Sequence, residues 1–203
     1  MNDEIQLSFD RAARLISRIR ETDYLLAVRG AAKLITAALG YGRKVIVFGN
    51  GGSASHAQHI AGELVGRFRL NRRPLPVIAL TADAAVVTCI ANDFGYAEVF
   101  ARQIEALGFP GDIAWAISTS GNSENVIAGL KMARERGLAT ILMTGNGGGD
   151  AEAYADVVLD VRASETARIQ EVHMISYHAI CAAIEAELFH KAESLEECAI
   201  SVA

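Results

Sequence analysis

The stretch Lys44-Val45-Ile46-Val47-Phe48-Gly49-Asn50-Gly51-Gly52-Ser53-Ala54 decides the fold. Its first half is an unbroken apolar run, too short for a helix and closed by glycine, which is how a strand buried on both faces reads. Its second half is rich in glycine and opens into a helical pattern over 53–66. The same order recurs at Ile113-Ala114-Trp115-Ala116-Ile117, followed by Ser118-Thr119-Ser120-Gly121-Asn122-Ser123 and a helical pattern over 123–136. Working outward, further strands are expected at 77–80, 140–143 and 157–161, and helices at 84–91, 97–107, 150–155 and 166–189. Five apolar strands alternating with helices predict an α/β fold, with a five-stranded parallel sheet covered on both faces. Such folds bind ligands where loops leave the carboxyl ends of the strands.

Ahead of the first strand lie two helical runs, 3–20 and 22–39, ended by Gly40-Tyr41-Gly42. The first carries Ile5, Phe9, Ala12, Ala13, Ile16 and Ile19 on one stripe, and the second carries Leu25, Val28, Ala32, Ile35 and Leu39. An N-terminal helical hairpin of this kind cannot bury its stripe alone. It is expected to pack on the main domain or on another subunit.

The chain has 203 residues, 51% hydrophobic and 21% charged, with a formal net charge of −5. That length suits one domain with a full core. The acidic balance, without any basic block, argues against a nucleic-acid-binding face. No apolar run approaches the ~20 residues of a membrane span. The start Met1-Asn2-Asp3-Glu4 has no basic or apolar leader region, so a cytoplasmic protein is expected. Cys89, Cys181 and Cys198 are too scattered for a disulfide framework or a Cys-x-x-Cys metal site.

Two loops carry the chemistry. In Gly49-Asn50-Gly51-Gly52-Ser53-Ala54 the glycines let backbone approach a ligand, and the helix start favours an anion. The loop also fits a Gly-x-Gly-x-x-Ala dinucleotide pattern, but Arg67, Phe68 and Arg69 stand where the ribose-binding acid is expected. In the second loop, four hydroxyls (Ser118, Thr119, Ser120, Ser123) and the helix-start amides can surround a phosphate with neutral donors. Ser123 is also expected to cap the following helix.

A third constellation is metal-like. His59 and Glu63 are four residues apart on the helix after the first loop, so both can face one small ligand, with His56 and Gln58 nearby. The last long helix offers Gln170, Glu171, His173 and His178 among apolar residues. Helical projection aligns Glu171 with His178 better than Gln170, and spacing alone does not select the functional pair.

Taken together, these residues resemble a known family. Val47–Ala54, Ala57-Gln58-His59, Glu63-Leu64-Val65-Gly66-Arg67-Phe68, Ile90-Ala91-Asn92-Asp93-Phe94-Gly95-Tyr96, Ile117–Ser123 and Thr166-Ala167-Arg168-Ile169-Gln170-Glu171-Val172-His173 match the phosphoheptose isomerases (sedoheptulose 7-phosphate isomerases) of the sugar-isomerase (SIS) fold. The resemblance runs from the leading helices to about Phe189. It implies a flavodoxin-like three-layer sandwich and a single SIS domain over 1–203, with residues 1–40 used in assembling a homotetramer. The implied reaction converts sedoheptulose 7-phosphate to D-glycero-D-manno-heptose 7-phosphate, the first step toward bacterial lipopolysaccharide heptose. The implied zinc ligands, one ion per subunit, fall on His59, Glu63, Gln170 and His178. Implied substrate contacts fall on Asn50, Gly51, Gly52, Glu63, Asn92, Asp93, Ser118, Thr119, Ser120, Ser123 and Gln170. One departure stands out: many members have Asp where this chain has His56.

Moving a proton between C1 and C2 of an open sugar needs a base, an acid for the oxygens and stabilisation of enediolate charge. Glu63 is the expected base and His178 its acid–base partner. The alternative is a non-catalytic SIS-fold tetramer that binds the replication initiator. Relatives of that type lack the catalytic glutamate, which this chain keeps as Glu63.

Overall fold

Each apolar run forms a strand because its residues can be covered on both faces. The computed structural model describes residues 2–190, so Cys198 lies outside the described residues. In chain order the elements are α1 (Asn2–Ile19), α2 (Tyr24–Gly40), β1 (Val45–Gly49), α3 (Gly52–Val65), β2 (Val77–Ala79), α4 (Ala84–Phe94), α5 (Ala101–Leu107), β3 (Ile113–Ser118), α6 (Glu124–Glu135), β4 (Ala139–Thr144), β5 (Val157–Asp160) and α7 (Thr166–Glu185). The five strands pair in parallel in the order β2-β1-β3-β4-β5.

Alternation along each strand divides the core into two layers. Val45, Val47, Trp115, Ile141 and Leu159 pack with residues of α2, α3 and α7. Ile46, Phe48, Ala114, Ala116 and Leu142 pack with residues of α5 and α6. The result is the expected three-layer α/β sandwich. No helix among the described residues is long and apolar enough to cross a membrane.

Several expectations change in detail. The helix expected at 150–155 is the 3-10 segment Gly149–Tyr154, and that at 97–107 is split into a 3-10 turn, Tyr96–Glu98, and α5. The last helix turns from α to π geometry over Ala186–His190. The hairpin also divides. Val28, Ala31, Ala32, Ile35 and Leu39 bury α2 in the main core, whereas Leu25 is 37% exposed and Tyr24 is buried in its place. In α1 only the C-terminal end reaches the core, through Leu15, Ile16 and Ile19; Ile5 is 57% and Phe9 73% exposed. None of the residues of α4 is buried, although this helix reads Ala84-Ala85-Val86-Val87-Thr88-Cys89-Ile90-Ala91.

Candidate functional site

The strand order reverses between β1 and β3, since β2 lies on one side of β1 and β3 on the other. Loops leaving such a switch point part to opposite faces and open a crevice at the carboxyl edge of the sheet. Gly49 pairs with Ile117 in register, so the glycine loop and the hydroxyl loop leave the sheet side by side.

The first loop is held from both sides. Asn50 and Asn125 exchange amide hydrogen bonds of 2.8 and 2.9 Å, and the Tyr96 hydroxyl donates to Asn50 Oδ1 at 3.0 Å. This fastens the loop to α6, and it occupies the Asn50 carboxamide oxygen. Gly52 is required for close approach: a Cβ there would strike the Gln170 carboxamide, whose Cδ would be 3.0 Å away. Gln170 of α7 is thereby brought against the start of α3.

In the second loop, Ser118 Oγ accepts from Gly121 N at 3.2 Å and Ser120 Oγ accepts from Asn122 N at 3.1 Å. Ser120, which accepts a backbone N–H, keeps its own proton to donate, whereas the Ser118 proton goes to Ser123. The expected Ser123 cap is not made: Ser123 occupies the N-cap position of α6 without a side-chain cap bond. Its hydroxyl instead accepts from Ser118 Oγ at 3.4 Å and stays on the loop. Thr119 ties the loop to the next strand through its carbonyl, which accepts from Gly145 N at 3.1 Å. Gly121 has φ +68° and abuts the Gly148 carbonyl, so no side chain fits there.

His59, Glu63 and His178 form one cluster, with a ligand-type atom of each lying within 4.8 Å of the others. His59 Nε2 and Glu63 Oε1 are 2.9 Å apart, and the side chains are 41% and 21% exposed. The His178 ring meets that of His59 edge-on at 5.1 Å and stacks on Phe68 at 5.6 Å. Two imidazoles and a carboxylate at these separations fit a divalent ion that takes nitrogen and oxygen ligands. Glu171 does not join them, despite its better projection: Arg168 binds it at 2.8 Å. His56 is 8% exposed and its Nδ1 has no partner. Burial, then the neighbouring His59 and His178, lower its pKa and favour the neutral ring.

Beneath the cluster, Arg72 and Glu185 hold the last turn of α3. Arg72 donates to the Glu63 and Leu64 carbonyls at 2.9 and 2.8 Å. Glu185 accepts from the amides of Phe68, Arg69 and Leu70 and from Arg72 Nε. Burial alone would raise the Glu185 pKa; those amides and Arg72 outweigh it and hold it below the usual carboxylate range. Tyr177 lies behind His59, its hydroxyl 2.8 Å from Nδ1. Burial pushes this phenol up to about 12 and the nearby Cys181 thiol also to about 12. Neither ionises at neutral pH.

Asn92 and Asp93 sit apart from these groups on the exposed end of α4, bonded to each other at 2.8 Å. A cavity of about 240 Å³ lies between the first loop and the α4 region, lined by Asn50, Gly51, Thr81, Thr88 and Tyr96 among others. A wider depression of about 960 Å³ outside α6 shares only Asn122 with the hydroxyl loop and includes none of the cluster. Sequence reasoning missed Asn125, Arg72, Tyr177 and Glu185, because each acts through a partner far along the chain.

The chain matches the family model described as SIS domain over residues 9–145. It is 48% identical over 174 residues to a phosphoheptose isomerase of Synechocystis sp., covering 86% of this chain and 90% of the relative. It is 51% identical over 162 residues to a phosphoheptose isomerase of Aquifex aeolicus, covering 80% and 85%. The fold superposes on a phosphoheptose isomerase from Neisseria gonorrhoeae with TM-score 0.86 at 38% identity, covering 91% of this chain and 98% of that one. The corresponding protein from Francisella tularensis gives TM-score 0.87 at 36% identity, with 90% and 96% covered.

Proposed function

This chain belongs to the phosphoheptose isomerases of the SIS domain family, and from that premise we propose how its residues act. It is an aldose–ketose isomerase that converts sedoheptulose 7-phosphate to D-glycero-D-manno-heptose 7-phosphate. The observation that carries the reading is the His59–Glu63–His178 cluster, held between α3 and α7 of a fold shared with these isomerases. A replication-initiator-binding role is not favoured, because the relatives are isomerases by name and Glu63 is present.

The hydroxyls of Ser118, Thr119, Ser120 and Ser123 and the α6 amides grip the phosphate at C7, which fixes the far end of the sugar. The Gly51–Gly52 backbone lines the crevice, and Asn92 and Asp93 bind sugar hydroxyls. The Glu63 carboxylate removes a proton from C1 of the open ketose and returns it to C2. His178 moves the proton between the C1 and C2 oxygens, so that the carbonyl at C2 becomes a hydroxyl as the hydroxyl at C1 becomes a carbonyl. Gln170, packed against Gly52, orients the reacting end.

His59, Glu63 and His178 would hold one zinc ion per subunit; Gln170, which the resemblance adds as fourth ligand, packs against Gly52, seven residues before His59 on α3. When bound, the ion supplies electrophilic stabilisation of enediolate charge. The exposed Ile5 and Phe9 of α1 and the exposed Val86 and Phe94 of α4 support assembly into a homotetramer. A phosphorylated sugar as substrate supports a cytoplasmic enzyme.

Mixing the protein with sedoheptulose 7-phosphate and following the sugar by NMR tests the reaction. The aldoheptose phosphate should appear, and unphosphorylated sedoheptulose should be a far poorer substrate. Equal turnover of both sugars contradicts the role given to the hydroxyl loop.

A further inference from the structure

His59 makes two ring hydrogen bonds with opposite demands. Nε2 lies 2.9 Å from Glu63 Oε1, and an ionised carboxylate only accepts, so Nε2 carries a proton. In the neutral ring Nδ1 is then an acceptor, and the Tyr177 hydroxyl at 2.8 Å donates to it. A metal at Nε2 takes the place of that proton, and the neutral ring must carry its proton on Nδ1. The bond to Tyr177 then reverses, with Nδ1–H donating and the phenol oxygen accepting. A hydroxyl can play both parts, whereas a carboxylate could only accept.

Tyr177 is built for a fixed position. It is fully buried, and its ring meets His59 edge-on at 5.4 Å, His178 at 4.8 Å and His56 at 5.5 Å. His56, one turn before His59 on α3, therefore packs against the side chain that binds His59 and leaves its own Nδ1 unpartnered. The His59 bond at Nδ1 reaches across to α7, which ties together the two helices that carry the cluster.

We infer that Tyr177 is a positioning residue of the metal site, holding the His59 ring by a hydrogen bond that reverses direction when metal binds. The inference rests on the metal reading proposed above. Both can be separated by measuring zinc affinity at fixed pH, by competition with a chromophoric chelator, for the wild type and for Tyr177→Phe. The variant keeps the ring and removes the hydroxyl, and it should bind zinc about 10- to 100-fold more weakly, the usual loss for a partner behind a ligating histidine. Equal affinity in the two proteins overturns the inference and leaves the metal site standing. No zinc uptake by the wild type overturns both. Nitrogen NMR of the wild-type His59 ring gives a second readout that needs no folded variant. Its proton should lie on Nε2 without metal and on Nδ1 with zinc. A ring already protonated on Nδ1 alone in the metal-free protein contradicts the reversal.

Discussion

Arg72 and Glu185 meet Nε to Oε1 at 3.0 Å, each side chain only 2% exposed, directly under the turn that carries Glu63. Breaking such a pair from one side leaves an uncompensated buried charge, which costs about 3–5 kcal/mol. Glu185→Gln should therefore lower unfolding free energy by that order in a urea melt at pH 7. A loss below about 1 kcal/mol would mean that Arg72 finds water or another acceptor.

Buried His173 sets an acid limit on stability. Burial lowers its pKa from 6.5 to about 4, against a weaker opposing hydrogen bond to the Thr144 carbonyl. The folded ring resists a proton that the unfolded chain accepts below 6.5. Its contribution is full above that value and is lost as pH falls toward 4, by up to about 3 kcal/mol. Urea melts between pH 7 and 4.5 should show a steeper decline for the wild type than for His173→Gln. Equal slopes would assign the acid sensitivity to other groups.

Ser120 tests the phosphate grip, since its side chain accepts one local amide and is otherwise exposed. Ser120→Ala should lose a charge-assisted hydrogen bond worth about 1.5–3 kcal/mol. That is roughly a ten- to hundredfold fall in kcat/KM for sedoheptulose 7-phosphate. Ser120→Asp should fall further, because a carboxylate would face the phosphate, while the melting temperature of both variants stays near that of the wild type. Unchanged kcat/KM in the folded Asp variant removes the loop from phosphate binding.

Assembly is best tested at α1. Deleting residues 1–40 would also remove α2, whose Ile35 and Ala31 are fully buried in the core, and the domain would unfold. Phe9→Asp changes only a side chain that is 73% exposed. Light scattering should show a species smaller than the proposed tetramer, with circular dichroism unchanged. A variant of unaltered mass would show that this face of α1 takes no part in subunit contacts.

Fold and site were unequally legible in the sequence. The strands showed plainly because Val45–Phe48 and Ile113–Ile117 are apolar on both faces and alternate with helices, a pattern that a covered parallel sheet satisfies. The adjacent loops followed from that order of elements. What the sequence hid was pairing at long range. Asn50 with Asn125, Arg72 with Glu185 and His59 with Tyr177 are separated by 75, 113 and 118 residues, and no local period connects them. Projection favoured Glu171 beside His178, but it could not foresee that Arg168 would take that carboxylate. Capping by Ser123 was reasonable chemistry for a helix start, yet the hydroxyl turns to Ser118 instead.

The most direct test of the account is the turnover of Glu63→Gln. The Glu63 side chain bonds His59, while its fixed place in α3 depends on its backbone carbonyl and Arg72, so the change removes the base and spares the turn. With sedoheptulose 7-phosphate as substrate and product followed by NMR, kcat should fall by roughly 10²–10⁴-fold while the protein melts as the wild type does. Near-normal kcat in the folded variant would contradict proton transfer by Glu63.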